Sequence, residues 1–342
     1  MNNIIYKSEN FINNNSEHFI KVGKFCEKNN LIIITNDNCI YKYNYINNKY
    51  IYSENKFKES NYIYDIEIFN EFNYPNLIFI CSKENPIRIF NSQLKIENSI
   101  LLQSYDKEII FTPNFVKLDK FGLFLFSGKN FLNKIDLITF KSIFINYNEY
   151  SRNLFSSFDF DFKYNFYVLG DYDKKNLYFF DYKTDKIINK FKQEFSINQI
   201  KILEKKDNLI LVGYRNNRYI NLYDIRNLNK EIKQFEKNNL TSQKINFILN
   251  ENEEYLFTGG FDGKIIKYNI NTFEKVFEIQ NYDCVSSLDY LNNMFLITFG
   301  KRNYIYSNLK YNNKNYVDDF INDINFSDNE NLYKSYFCLY NI

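Results

Sequence analysis

The chain has 342 residues, with 43 Lys and Arg set against 41 Asp and Glu, for a formal net charge of +2. A nearly neutral total gives no long-range pull toward nucleic acid or an acidic membrane, so any such partner needs a local patch. The five cysteines, Cys26, Cys39, Cys81, Cys284 and Cys338, are scattered, odd in number and form no CxxC pair. They exclude a disulfide framework and predict free thiols packed in strands in a reducing compartment.

The N-terminus is polar, and no stretch reaches the ~18 uninterrupted apolar residues of a membrane span. A soluble, intracellular protein is expected. Phe (36) and Tyr (31) are abundant, Trp and Ala are missing, and roughly one residue in six is Asn. This bias matches an A+T-rich coding sequence, so Asn runs such as Asn13–Asn15 read as solvated turn filler.

In chain order the first strand-like piece is Asn3–Lys7. Six worn repeats follow, at residues 18–45, 63–92, 109–139, 155–185, 196–227 and 242–272. Each carries an apolar strand, a short polar hairpin and an alternating strand ending in an aromatic or apolar residue followed by Asn or Asp. The pairs are Tyr43-Asn44, Phe90-Asn91, Ile135-Asp136, Phe180-Asp181, Tyr223-Asp224, Tyr268-Asn269 and Tyr340-Asn341. Their intervals are 47, 45, 45, 43, 45 and finally 72 residues. In the clearest copy Lys244–Leu249 reads as an inner strand, Tyr255–Thr258 as the second, Gly259–Gly263 as a hairpin and Lys264–Asn269 as the third. A seventh unit begins at Val285–Leu288 and Met294–Thr298. It is interrupted by a long polar loop, 301–333, and resumes at Tyr336–Tyr340.

A period in the low-to-mid forties built only from strands is the spacing of WD40-type propeller blades, and one blade cannot bury its own faces. The expected fold is therefore all-β, a single seven-bladed WD40-type β-propeller over residues 1–342. The N-terminal strand at 3–7 would complete the last blade and remove a bare sheet edge.

No catalytic set emerges: there is a single histidine, His18, read as a strand residue, and no GxSxG, HExxH or Walker loop. With one His and scattered Cys no zinc site is expected, and no cofactor is. A non-enzymatic protein follows.

RNA recognition asks for positive charge along the backbone and flat rings for exposed bases. In a propeller the hairpins between second and third strands share one face. Here they supply Lys83, Lys129, Lys174, Lys175, Arg215, Arg218, Lys301 and Arg302, against Asp37, Glu84, Asp171, Asp173 and Asp262. Arg215, Arg218 and Arg302 are favoured, since guanidinium both stacks on bases and forks onto phosphate. Phe131, Tyr172, Tyr214, Phe261 and Tyr304 are the nearby rings. Asp262, ahead of Gly263, is expected to tie its hairpin rather than meet RNA, and Arg226 reads as a turn residue on the opposite face.

Two segments are specific enough to suggest kinship. One is Ser82-Lys83-Glu84-Asn85-Pro86-Ile87 leading into Phe90-Asn91. The other is Leu222-Tyr223-Asp224-Ile225-Arg226 followed by Thr241-Ser242-Gln243-Lys244-Ile245-Asn246-Phe247. Together with colinear echoes such as Glu17–Lys21, Thr35–Asn38, Ser104–Asp106, Asp283-Cys284 and Gly300-Lys301-Arg302, they resemble the telomerase Cajal body protein family of WD40 proteins. The likeness covers residues 15–342. Every family Trp is replaced by Tyr or Phe, the Gly-His pair of ordinary WD40 repeats is absent, and so is the Pro-rich N-terminal extension of animal members. The resemblance implies binding of small Cajal body RNA or telomerase RNA, assembly or localisation of small nuclear ribonucleoproteins with their proteins, and nuclear residence. It places Arg215 where the family has an Arg in the same hairpin. A monomer is expected. The competing expectation is a generic WD40 protein-interaction scaffold without RNA.

Overall fold

The computed structural model of the protein describes residues 4–8, 19–26, 30–47, 49–69, 77–100, 113–118, 123–128, 131–136, 142–146, 155–161, 163–239, 244–281, 283–300 and 336–341. Among them the strands pair antiparallel into seven four-stranded sheets. Strand β1 (Ile4–Lys7) opens the chain. The first sheet then holds β2 (Ile20–Phe25), β3 (Leu31–Thr35), β4 (Cys39–Ile46) and β5 (Lys49–Lys58). The second holds β6 (Ile63–Phe69), β7 (Leu77–Ser82), β8 (Ile87–Phe90) and β9 (Ile96–Ile100). The third is β10 (Pro113–Leu118), β11 (Leu123–Gly128), β12 (Phe131–Asp136) and β13 (Ser142–Asn146). The fourth is β14 (Phe155–Asp161), β15 (Phe166–Asp171), β16 (Asn176–Asp181) and β17 (Ile187–Lys192). The fifth is β18 (Ile197–Ile202), β19 (Leu209–Tyr214), β20 (Asn217–Asp224) and β21 (Lys233–Asn239). The sixth is β22 (Phe247–Leu249), β23 (Tyr255–Gly259), β24 (Lys264–Asn269) and β25 (Lys275–Gln280). The last combines β26 (Val285–Leu291), β27 (Met294–Phe299) and β28 (Tyr336–Asn341), with β1 paired antiparallel to β28.

The chain thus adopts an all-β propeller arrangement. Side chains are described for six of the sheets, β1 of the last excepted; for β1 and the third sheet only the backbone is. The loop expected at 301–333 lies outside the described residues, as does His18.

Burial follows position in the blade. The second strands are buried on both faces, all five residues of β3 and all six of β15, because a sheet packs on either side. The outermost strands β9, β17 and β25 are mostly exposed. Apolar clusters bridge consecutive sheets: Val168, Phe179, Ile200 and Val212 join the fourth to the fifth, and Leu211, Phe235, Leu256 and Tyr268 the fifth to the sixth. Ile20, Leu31 and Ile33 of the first sheet share a cluster with Leu296, Phe337 and Leu339 of the last. Across that same contact Gly23 N–H donates to Ser287 Oγ at 2.8 Å and Phe25 N–H to Asp289 Oδ2 at 2.7 Å.

The recurring aromatic–Asn/Asp pair now has a physical role. Its ring is buried, as at Phe90, Phe180, Tyr223 and Tyr268. Its side-chain oxygen accepts from the backbone of the turn into the outermost strand. Asp181 Oδ1 accepts from Lys183 N (3.1 Å) and Thr184 N (2.7 Å), and Asn269 Oδ1 from Asn271 N (2.8 Å) and Thr272 N (3.1 Å). Asn269→Ala removes the one oxygen that accepts both bonds and is expected to cost about 1 kcal/mol, read from the denaturation midpoint.

Two features differ from the sequence expectation. The inner strand expected over Lys244–Leu249 is only β22, Phe247–Leu249. The Ile245 carbonyl is taken by the Lys237 amine of β21, and the Asn246 side-chain amide exchanges two hydrogen bonds with the Leu288 backbone, so this segment is tied to the neighbouring sheets rather than to its own ladder. A register shift also recurs at the start of the innermost strands, at Ile20/Val22, Ile63/Asp65, Phe155/Ser157, Ile197/Gln199 and Val285/Ser287. Such bulges re-aim a strand end and sharpen twist.

The five cysteines are buried and none of them forms a disulfide. Among the described residues no helix is long and apolar enough to cross a membrane.

Candidate nucleic-acid interface

The hairpins between second and third strands are tight, and most use one residue in the left-handed region. These are Asn38 (φ 65°), Glu84 (φ 57°), Lys175 (φ 57°), Asn216 (φ 49°) and Gly263 (φ 79°). Only at Gly263 is glycine demanded by space as well, since a Cβ there would sit 2.2 Å from the Asn281 carbonyl oxygen. Asp262 ties that same hairpin, accepting from Lys264 N at 3.2 Å and Asn238 Nδ2 at 2.9 Å, the structural part expected of it.

Arg215 occupies the β19–β20 hairpin and its guanidinium lies 4.9 Å from the centroid of the Tyr172 ring, in the β15–β16 hairpin. Two hairpins of successive sheets therefore meet on one face. The Tyr172 turn is set by Asp171, a fully buried carboxylate whose Oδ1 accepts from Asp173 N (2.9 Å) and Lys174 N (3.0 Å). Burial pushes the Asp171 carboxyl above its ordinary range, against those two backbone donors. Arg218, three residues on from Arg215, is exposed.

The other predicted cations divide. Lys175 Nζ donates to the Glu194 carbonyl at 2.9 Å, and Lys174 is half-buried beside it. Lys83 pairs with Glu84 of its own hairpin at 3.5 Å. No described contact joins Lys83 to Arg215. Lys129, Lys301 and Arg302 lie outside the described residues. Among the aromatics, Tyr172 is half-buried and holds Arg215, whereas Tyr214 is 2% exposed. The Tyr214 hydroxyl donates to Gln193 Oε1 at 2.7 Å and lies 2.9 Å from the Tyr223 hydroxyl. Burial raises its pKa further. Tyr214 is thus a structural floor and cannot stack a base, which corrects the expectation. Phe261 packs against the core shared by the sixth and last sheets. The side chain of Phe131 and all of Tyr304 fall outside the described set. Arg226 sits in a turn as expected, forked onto Asp224 (Nε–Oδ1 2.9 Å, Nη2–Oδ2 2.5 Å), which holds that carboxyl down at about 2.

Sequence reasoning missed what flanks Arg218. A cleft of about 920 Å³ runs between the outer parts of the fourth and fifth sheets, lined by Lys190, Lys192, Phe195, Arg218 and Tyr219 over the Tyr214–Tyr223 floor. Phe195 (37% exposed) and Tyr219 (42%) offer ring faces there, and Ile188 and Ile232 are exposed close by in sequence. Only the strand-period alternation of β17 could have pointed to Lys190 and Lys192, and its polar composition hid the strand.

A second charged zone lies on the innermost strands. Lys24 bonds Glu67 at 2.9 Å and Lys201 approaches Asp159 at 3.3 Å. Burial works against the Lys24 ammonium, but Glu67, Asp65 and Asp289 outweigh it and hold its pKa above the ordinary value. These cations are already matched by carboxylates and present no surplus to a polyanion. Among the described residues no group of three or more His, Cys, Asp or Glu could hold a metal ion. Compared with known proteins, the chain matches no family model and no curated sequence.

Proposed function

We propose that the chain is a non-catalytic, RNA-binding propeller of WD40 type, with seven blades closed by β1. Its role is the assembly or nuclear localisation of small nuclear ribonucleoproteins, carrying small Cajal body or telomerase RNA. Seven four-stranded sheets, the shared core of first and last sheets and the pairing of β1 with β28 support the closed ring. The observation that carries the RNA reading is Arg215 stacked on Tyr172, with Arg218 exposed on the same hairpin. Among the described residues neither guanidinium is engaged by a carboxylate, so both can fork onto phosphate while Tyr172 presents a ring edge. Lys174 and Lys175 extend the basic track, and the sequence adds Lys83, Lys129, Lys301 and Arg302 to the proposed set. The protein acts as a monomer, without cofactor.

The test is a salt titration of binding to structured small nuclear RNA. Arg215→Ala with Arg218→Ala is expected to weaken binding about ten-fold and to lower the salt slope by roughly 1–2. Equal affinity and slope for wild type and double variant would remove this hairpin from the interface. A scaffold reading draws on the exposed Phe195, Tyr219, Ile188 and Ile232, which would suit an extended peptide lying in the cleft. It requires partners that co-purify with the protein after ribonuclease treatment; their loss on digestion counts against it.

A further inference from the structure

The connection from β17 to β18 is wedged between two hairpins. Gln193 N–H donates to the Lys175 carbonyl at 2.7 Å, and the Glu194 carbonyl accepts from Lys175 Nζ at 2.9 Å. The Ser196 carbonyl accepts from Arg215 N–H at 2.9 Å. Phe195 is therefore held between the hairpin of Tyr172 and that of Arg215. The cleft of about 920 Å³ that it lines opens beside their stack. That volume falls in the ~300–1,000 Å³ range of small-molecule sites.

Three kinds of group face this space. The rings of Phe195 and Tyr219 are 37% and 42% exposed, and Phe195 is braced edge-on against Tyr214 at 6.0 Å between centroids. Lys190, Lys192 and Arg218 are exposed, and among the described residues no carboxylate pairs with them. Lys192 Nζ reaches the Lys174 carbonyl and Lys190 Nζ lies 5.4 Å from the Tyr178 ring, so both charges stay open. Glu194 and Glu231 also line the cleft, which leaves the cations in the majority. The third group is the amide of Gln193, 7% exposed. Its Oε1 accepts from the Tyr214 and Tyr223 hydroxyls at 2.7 and 3.3 Å. Its Nε2 has no partner among the described residues and is open to the cleft. A donor held in a wall without an acceptor is costly until a ligand supplies one.

We propose that this cleft is the subsite for one unpaired nucleotide of the bound RNA, an inference that rests on the RNA reading above. The base lies against Phe195 or Tyr219 and offers an edge acceptor to Gln193 Nε2. The flanking phosphates meet Arg218, Lys190 and Lys192. Free cations, exposed rings and an unused amide donor answer the three parts of a nucleotide that a protein can grip. A duplex keeps its bases stacked and paired, so the cleft selects a loop or bulge. An extended peptide fits less well. Ile188 and Ile232 lie outside the lining, and the floor of Tyr214, Tyr223, Gln193 and Asn221 is polar.

The experiment measures binding of the full chain to decauridylate and to structured small nuclear RNA, with ultraviolet crosslinks mapped by peptide mass spectrometry. Decauridylate is expected to crosslink at Phe195 or Tyr219. Phe195→Ala with Tyr219→Ala should weaken its binding about ten-fold and leave the salt slope unchanged, since no phosphate contact is lost. Lys190→Ala with Lys192→Ala should instead lower the slope by roughly 1–2. Wild-type protein whose decauridylate crosslinks all lie elsewhere overturns the inference, a result that needs no variant. So does equal affinity for wild type and a ring variant that is folded by circular dichroism. Binding of the structured RNA but not of decauridylate also overturns it, and leaves the Arg215 reading standing. Binding of neither RNA takes down both. Partner proteins retained after ribonuclease but lost from the ring variant would put a peptide in the cleft, which overturns it as well.

Discussion

Replacing Phe337 with alanine is expected to lower stability by about 3–5 kcal/mol, the cost of emptying a buried aromatic site that cannot collapse. The ring is 0% exposed on β28 of the last sheet, yet its partners belong to the first: Tyr43 at 5.3 Å and Tyr50 at 6.3 Å between centroids. Ile20, Ile33, Leu296 and Leu339 complete the cluster. The contact joins residues at opposite ends of the chain, so its loss opens the seam between first and last sheets. Equilibrium urea denaturation gives the magnitude, and hydrogen exchange gives the place. Amides of β2 and β3 should lose protection before those of β15 or β19. A cost under about 1 kcal/mol would mean that the seam contributes little to holding the sheets together.

A pH dependence carried by Lys237 is the second large effect expected. The folded amine titrates at about 7 and the unfolded one at the ordinary 10.5. Between those values the unfolded chain binds the extra proton, so stability rises with pH across the window. Its contribution is present in full above 10.5 and is lost as pH falls through about 7. The gain between pH 6 and pH 9 is on the order of 2–3 kcal/mol. Lys237→Met should flatten that slope, as measured by denaturation at the two pH values; an unchanged slope would show that the amine keeps its ordinary affinity for protons. Asp289 gives the opposite sign in a separate window. Burial, opposed by Lys24, raises its carboxyl from 3.8 to about 6. Its contribution is present below the unfolded value and is lost as pH rises to about 6. The two groups therefore do not mask each other.

The strands that a reader of the sequence can find are those that the fold buries on both faces. Leu31–Thr35, Leu77–Ser82 and Leu209–Tyr214 stand out as apolar runs because sheets cover them from two sides. The outermost strands Ile96–Ile100, Ile187–Lys192 and Lys275–Gln280 did not stand out, since water takes most of their side chains and pairing rests on backbone alone. Candidate site residues split for a similar reason. Arg215 and Tyr172 were found as hairpin residues, but their pairing depends on how two sheets pack, and 43 positions separate them. Tyr214 looked like a ring free to stack and proved to be a buried member of a hydrogen-bonded floor. Lys237, in a polar stretch, carried no signal at all.

Sequence alone determined the period and the all-β character, because both rest on neighbours along the chain: alternation within a strand and the aromatic–Asn/Asp pair that recurs at its end. Tertiary structure decided which distant groups meet. The cleft beside Arg218, the Arg215–Tyr172 stack and the sealed amine of Lys237 arise where one sheet faces another. Packing between sheets is set by the summed shape of many side chains, and no local pattern encodes it.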